Sequence, residues 1–221
     1  MIFKFQSLFQ LDKCRFLLNT NRNPLISPFA FDLLLQHLIK DNEQSILIVL
    51  LAQNLQHYSA VSMKCGINLK NYIDNGRIKV IDTFDYDINF DLDQLVQDIE
   101  SKLSVMPEKS FLLIDDIEVF RSIGISARKT FLMIKQIQKI LTIKQGKIFI
   151  GISMVSDDRS KWNIMINNLI FECDYWLDCD CPKTGYSQYI NGILRCFNHN
   201  DQSTIELNYK ISNRNIIFTK M

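Results

Sequence analysis

The sequence predicts an α/β fold in a single domain over residues 1–221, with a mostly parallel sheet flanked by helices and an antiparallel C-terminal extension. Three observations carry this expectation. Near-continuous apolar runs, such as residues 45–52 (SILIVLLA) and 111–114 (FLLI), suit strands buried on both faces. Stretches with apolar residues at helical spacing separate these runs, the alternation of parallel strands with crossover helices. From Phe171 onward the helices stop, and strand-like runs follow one another across polar turns, which pairs them antiparallel.

Taken in order, residues 15–18 are a short strand and 19–28 a turn-rich connector with two prolines. Phe29, Leu33, Leu34, Leu35 and Leu38 mark a helix over 29–39, with Ser27 and Pro28 as its start. The strand at 45–52 is followed by a short helix at 58–65 that Gly66 stops. Residues 77–82 form the next strand and 85–93 an acidic loop. Leu92, Leu95, Val96, Ile99 and Leu103 then stripe a helix that Pro107 ends. Asp115 and Asp116 close the strand at 111–114. A helix over 126–143 buries Phe131, Ile134, Ile137, Ile140 and Leu141, and a strand at 147–154 follows Gly146. Residues 155–162 read as an exposed loop and 162–169 as a short helix. Strands at 171–177, 189–197, 203–210 and 215–220 complete the chain, with turns at Lys183-Thr-Gly185 and His199-Asn-Asp201.

Composition narrows the function classes. Apolar residues make up 47% of the chain, enough for a sizeable core, and the formal net charge is +1. That balance excludes a broad basic field for nonspecific nucleic-acid binding and leaves room for a local basic loop. The longest unbroken apolar run, Ile46 to Ala52, is far below the ~20 residues of a membrane span, and the N-terminus lacks a signal-like apolar core. A cytosolic or nuclear protein without membrane contact is expected. The six cysteines are scattered. Cys179 and Cys181 make at most half of a metal site, and reduced structural thiols are the favoured reading.

The most specific signal is a missing one. A working RecA-like ATPase, whose element order this chain shares, places G-x-x-x-x-G-K-[ST] between its first core strand and the next helix. Here that position is NTNRNPLISP, residues 19–28, with neither glycine nor lysine, and no glycine precedes Gly66. Residues with a Cβ do not adopt such a loop cheaply, and Pro24 and Pro28 remove two N–H donors. The same absence disposes of the dinucleotide fingerprint. No cofactor is therefore expected. The run ending in Asp115-Asp116 looks like a Walker B strand, in which the acids would organise magnesium and water. The alternative, favoured here, is that one of them caps the following helix.

Two further segments stand out. His57 and Ser59 follow a buried strand, where α/β proteins place ligands, yet no nucleophile elbow or acidic orienter accompanies them. An interface or structural role is preferred to hydrolase chemistry. In the loop at 155–162, Arg159, Lys161 and Trp162 combine cations with an aromatic ring, a pattern that suits RNA, while Asp157 and Asp158 offset the charge and favour a solvated loop.

Taken together, Leu47-Ile-Val-Leu-Leu-Ala-Gln53, His57-Tyr58-Ser59 and Lys64-Cys-Gly66-Ile-Asn-Leu69 resemble the signature of the Elongator subunit-six family. The strand at 77–82, the run Leu112–Asp116 with Ser122-Ile-Gly124, and Tyr209-Lys-Ile211 with Ile217-Phe218 fit its later segments in order. Cys65 and Leu55-Gln56 depart from the family pattern, and the stretch before Gln44 matches poorly. The resemblance implies a noncatalytic, RecA-like member of a heterohexameric ring with two copies each of Elongator subunits four, five and six. Such a ring binds tRNA, docks on the Elongator catalytic core and supports wobble-uridine modification. It also implies interface roles for Gln53, His57, Tyr58, Lys64 and Gly66, a degenerate Walker B at Asp115 and Asp116, and RNA contact by Arg159 and Lys161. Two other readings compete with it. One is a degenerate RecA-like regulator of another complex, such as a recombination-mediator paralogue. The other is a different enzyme, such as a Rossmann-type methyltransferase, against which the glycine-free first turn argues.

Overall fold

In the computed structural model, the described residues are 2–3, 8, 12–22, 29–40, 44–86, 90–154, 161–182, 188–212 and 216–220. The elements run β1 (Ile2–Phe3), β2 (Phe16–Asn21), α1 (Phe29–Lys40), β3 (Ile46–Leu50), α2 (Leu55–Lys64), α3 (Leu69–Asp74), β4 (Ile78–Asp82), α4 (Leu92–Ser104) and β5 (Phe111–Ile114). They continue with α5 (Glu118–Ser122), α6 (Ala127–Ile143), β6 (Lys147–Ser153), α7 (Lys161–Glu172), β7 (Tyr175–Asp180), β8 (Gly192–Asn198), β9 (Ser203–Ile211) and β10 (Ile216–Lys220).

Ten strands form one sheet in the order β1-β10-β9-β8-β7-β2-β6-β5-β3-β4. The pairs from β7 through β4 are parallel, and those from β7 back to β1 are antiparallel. Alternation along each strand feeds two cores. Ile46, Ile48 and Leu50 of β3 face a layer built on α1 and α2, while Leu47 and Val49 face a layer built on α4, α6 and α7. Helix α1 also holds the antiparallel extension, since the Phe29 ring lies 4.7 Å from that of Tyr209 and 6.2 Å from that of Phe218. Gly192 makes room for this arrangement, because a Cβ there would stand 2.2 Å from the Tyr209 hydroxyl.

The predicted strands at 45–52 and 111–114 and the helix at 126–143 appear within a residue or two of their expected bounds. Other expectations are corrected. Strand β2 runs on through Asn19, Thr20 and Asn21, which the sequence placed in the connector. Ladders to both β6 and β7 extend to Asn21 and outweigh the weak strand propensity of asparagine. Helix α7 reaches Glu172, into the predicted strand at 171–177, because Met165, Ile166 and Leu169 keep one buried face and the Cys173 N–H still donates to Leu169. Trp162, expected in an exposed loop, is 8% exposed and belongs to the core. The short helices α3 and α5 were not foreseen. The Asn68 side chain caps α3 by accepting from the Lys70 N–H. The prolines at 24 and 28, the start signal at Ser27, residues 155–160 and the turn at 183–185 lie outside the described residues. Among the described residues, no helix is long and apolar enough to cross a membrane.

Candidate functional site

The carboxyl ends of the parallel strands converge where α/β proteins bind ligands. The residue at the centre of that edge is Asp115, fully buried just past β5. Both of its oxygens are engaged. Oδ1 accepts from the N–H groups of Leu51 (2.7 Å) and Asp116 (2.7 Å), and Oδ2 from the N–H of Gln53 (3.2 Å) and the hydroxyl of Tyr58 (3.2 Å). The Ala52 N–H is shared between the two oxygens at 3.2 and 3.0 Å. Five donors thus aim at one carboxylate, which organises the turn leaving β3 in the way a helix N-terminus or nest organises an anion. Burial pushes its pKa up to about 6, against the lowering by those backbone N–H groups.

Asp116 has a different task. Its Oδ1 accepts from the Glu118 N–H (2.9 Å) in the first turn of α5 and from the Ser153 N–H (3.0 Å) at the end of β6. Asp116 thus reaches the first N–H of α5 from the residue before its N-cap, Ile117, while the helix foreseen at 126–143 is capped by Ser126. Close packing underlies the geometry, since a Cβ on Gly151 would stand 1.9 Å from the Asp115 carbonyl oxygen. The two acids sit where a Walker B pair would, and their oxygens are turned into the protein.

The structure joins residues that the sequence treated separately. Gln53, His57, Tyr58, Lys64 and Gly66 lie on one turn–helix–turn after β3, and Asp115 anchors its beginning. Tyr58 is buried against Phe31 (ring centroids 4.7 Å apart), and burial pushes its hydroxyl pKa up. Gly66, at φ +77, ends α2 in a Schellman arrangement, with the Gly66 N–H donating to Met63 and the Ile67 N–H to Ser62. These two residues serve the fold. Gln53 and Lys64 are exposed and His57 is half-buried, so they remain available at the surface. Lys161 is the exposed first residue of α7, and Arg159 lies outside the described residues. Because Trp162 is in the core, it does not present a stacking surface beside Lys161.

At the exit of β2, where a phosphate loop would begin, the sequence missed a polar network. Asp178 of β7 accepts from the Thr20 hydroxyl (2.8 Å), Arg22 Nε (3.0 Å) and Arg195 Nη1 (3.2 Å), and the Trp176 indole N–H donates to the Thr20 hydroxyl (2.8 Å). Thr20, Asp178, Arg195 and Glu206 form one cross-strand row over β2, β7, β8 and β9. No sequence signal links these residues, because register creates the row. In the first turn of α1, where a phosphate would rest in an ATPase, stands Asp32. Its Oδ1 is buried without a hydrogen-bond partner, and burial pushes its pKa up to about 7.

Cys14, Cys173, Cys179 and Cys196 are buried in the core, and Cys65 and Cys181 are half-buried. Burial pushes the thiols of Cys173 and Cys196 up to about 12, and it raises Cys14 and Cys179 as well, which disfavours nucleophilic thiolates. Cys179 lies in β7, and Cys181 follows the strand's end. Among the described residues, no group of three or more His, Cys, Asp or Glu side chains is placed to hold a metal.

No family model and no curated protein matches the chain. In the solved structures 414 chains match it in fold, so the fold is widespread and does not by itself select an activity. One match is a KaiC-like protein from the hyperthermophilic archaeon Pyrococcus horikoshii OT3, with a TM-score of 0.68 over 93% of this chain and 89% of that one, at 15% identity. At that identity the likeness shows the fold alone. The chain has a KaiC/RecA-like α/β fold with a mostly parallel sheet, flanking helices and C-terminal antiparallel strands.

Proposed function

We propose that this RecA-like chain is a noncatalytic subunit of a heterohexameric ring of the Elongator accessory type, standing as subunit six beside subunits four and five. In this reading the assembled ring binds tRNA, docks on the Elongator catalytic core and supports wobble-uridine modification, in the cytosol or nucleus. The observation that carries the proposal is the turn–helix segment at 51–66, where Asp115 holds Gln53 and Tyr58 of the family-like set. An acid that would manage magnesium and water in an ATPase is spent here on four backbone N–H groups and a tyrosine. The glycine-free connector and the Asp32 carboxylate at the start of α1 point the same way, since both oppose a triphosphate at that end of the sheet. A subunit relieved of nucleotide chemistry contributes surfaces. Gln53, His57 and Lys64, with Met63 at 55% exposure, supply a candidate contact. Lys161 and Arg159 remain the RNA-contact candidates.

The test is co-expression with Elongator subunits four and five, followed by native mass determination. The expected product holds two copies of each subunit. Lys64→Glu is expected to lower its yield while leaving the melting temperature of the isolated chain within about 1 °C, because an exposed charge contributes little to stability. Magnesium–ATP is expected to leave that melting temperature unchanged. A stable monomer that ignores both subunits overturns the reading, and recovery with DNA-repair partners instead favours the recombination-mediator alternative.

A further inference from the structure

A wide cavity lies at the opposite end of the sheet from the site above. It measures about 850 Å3 and is lined by residues 12–15, Gln44, Lys109, Thr142 and residues 145–147. Four of the lining side chains are cations (Lys13, Arg15, Lys109 and Lys147) and one is an acid, Asp12. A local excess of three positive charges exceeds the +1 of the whole chain, so the remainder of the molecule is net negative. The acid Asp174 lies beside the cavity, where its Oδ2 accepts from the backbone N–H groups of Arg15 (2.7 Å) and Phe16 (2.9 Å) and its charge offsets part of that excess. The walls are held in place by their own backbone. The Lys109 N–H donates to the Lys144 carbonyl (2.9 Å) and the Lys147 N–H to the Ser110 carbonyl (3.0 Å), while Lys144 Nζ caps the end of α4 at the Met106 carbonyl (2.8 Å). Helix α6, whose last turn supplies Thr142, carries Arg128, Lys129, Lys135 and Lys139 and no acid, and of these Lys135 pairs with Glu172 of α7.

We propose that this cavity holds consecutive phosphate groups of a polynucleotide backbone. The shared chemistry is phosphate, and its two sources are a nucleic-acid chain and free inorganic phosphate. Shape favours the chain. The cations come from three separate segments around an open space far larger than one ion, whereas a single-phosphate site converges buried donors on one point. The choice of RNA as the probe rests on the proposed function, but the site itself is argued from its charge and is tested without any partner subunit.

The experiment is fluorescence anisotropy of the full-length chain with a fluorescein-labelled single-stranded RNA, titrated over about 50 to 200 mM salt. Lys13→Gln/Lys109→Gln is expected to weaken binding about tenfold and to reduce the slope of log K against log salt by about 1.4, or 0.7 per lost phosphate contact. Lys13→Arg/Lys109→Arg should bind as the parent does, and so should Lys70→Gln/Lys220→Gln, whose lysines lie elsewhere. Millimolar inorganic phosphate should displace the RNA no more than its ionic strength requires. Equal affinity and slope for the Gln pair and the parent overturn the proposal, as does an equal loss in the Arg pair or the remote pair. Displacement of the RNA by submillimolar phosphate replaces the backbone reading with a single-anion site. If the Gln pair lowers the melting temperature, Arg15→Gln alone supplies the same comparison, with an expected slope change of about 0.7.

Discussion

Asp115 stands where a Walker B acid would, and both of its oxygens are held by groups of the chain itself. Its carboxylate is fully buried beneath five donors, so replacing one oxygen by an amide sets an NH2 against backbone N–H groups that have no other acceptor. Asp115→Asn is expected to cost about 3 kcal/mol, since each unsatisfied buried donor costs about 1–3 kcal/mol. Urea unfolding checks this, and a loss below ~1 kcal/mol would show that the turn does not depend on the charge. Asp32 behaves in the opposite sense, because its buried Oδ1 has no partner and its pKa rises from 3.8 to about 7. The folded state therefore holds a proton that the unfolded chain has already released. The stability linked to Asp32 is fully present below about pH 4 and is lost as pH rises through about 7. Asp32→Asn should melt higher than the parent at pH 8, with the difference gone by pH 4. A variant that melts lower at pH 8 would mean that the carboxylate is stabilised by its place in the first turn of α1.

Among the elements, α1 depends most on distant support. Its first turn faces the antiparallel strands through Phe29, and its last carbonyls are capped by Arg77, which donates from Nη1 to Ile39 (2.9 Å), from Nη2 to Leu38 (2.7 Å) and from Nε to Gln44 (3.2 Å). One planar guanidinium thus ties the end of α1, the loop before β3 and the start of β4 together, and it lies 5.6 Å from the Tyr72 ring centroid. A lysine has neither the fork nor the reach for three carbonyls. Arg77→Lys is expected to cost about 2 kcal/mol in thermal or urea unfolding, from two lost charge-assisted hydrogen bonds. The sequence reading took residue 77 as the first residue of a strand. The apolar period that marks a strand carries no information about which carbonyls a side chain will meet 38 residues away.

On the scale of the molecule, the parallel part of the sheet is covered by helices on both faces, and the helix layers themselves carry exposed apolar side chains. Leu132 (56%) and Ile143 (76%) on α6, and Ile164 (60%) and Phe171 (80%) on α7, face solvent in the isolated chain. Ile164 and Phe171 are two helical turns apart and share a face of α7. Apolar surface of this kind is what the proposed ring would cover. The isolated chain is expected to self-associate with rising concentration in light scattering and to lose that tendency when co-purified with the subunits proposed above. A monodisperse monomer at high concentration would count against the ring.

The sequence by itself determined whatever depends on neighbours along the chain. It located the buried strands β3 and β5 by their apolar runs, α6 by its period and the stop of α2 by Gly66, and it places no glycine before that residue. Local composition and backbone freedom are enough for those. Only the tertiary structure decided where the polar groups are spent. It turned Asp115 inward onto a turn more than 60 residues before it, and it carried β2 on through Asn19–Asn21 because β6 and β7 flank it there. It took Trp162 into the core, aligned Thr20, Asp178, Arg195 and Glu206 in one row, and gathered Lys13, Arg15, Lys109 and Lys147 around one cavity. Each of these outcomes depends on desolvation and register between segments far apart in the chain, and a one-dimensional pattern records neither.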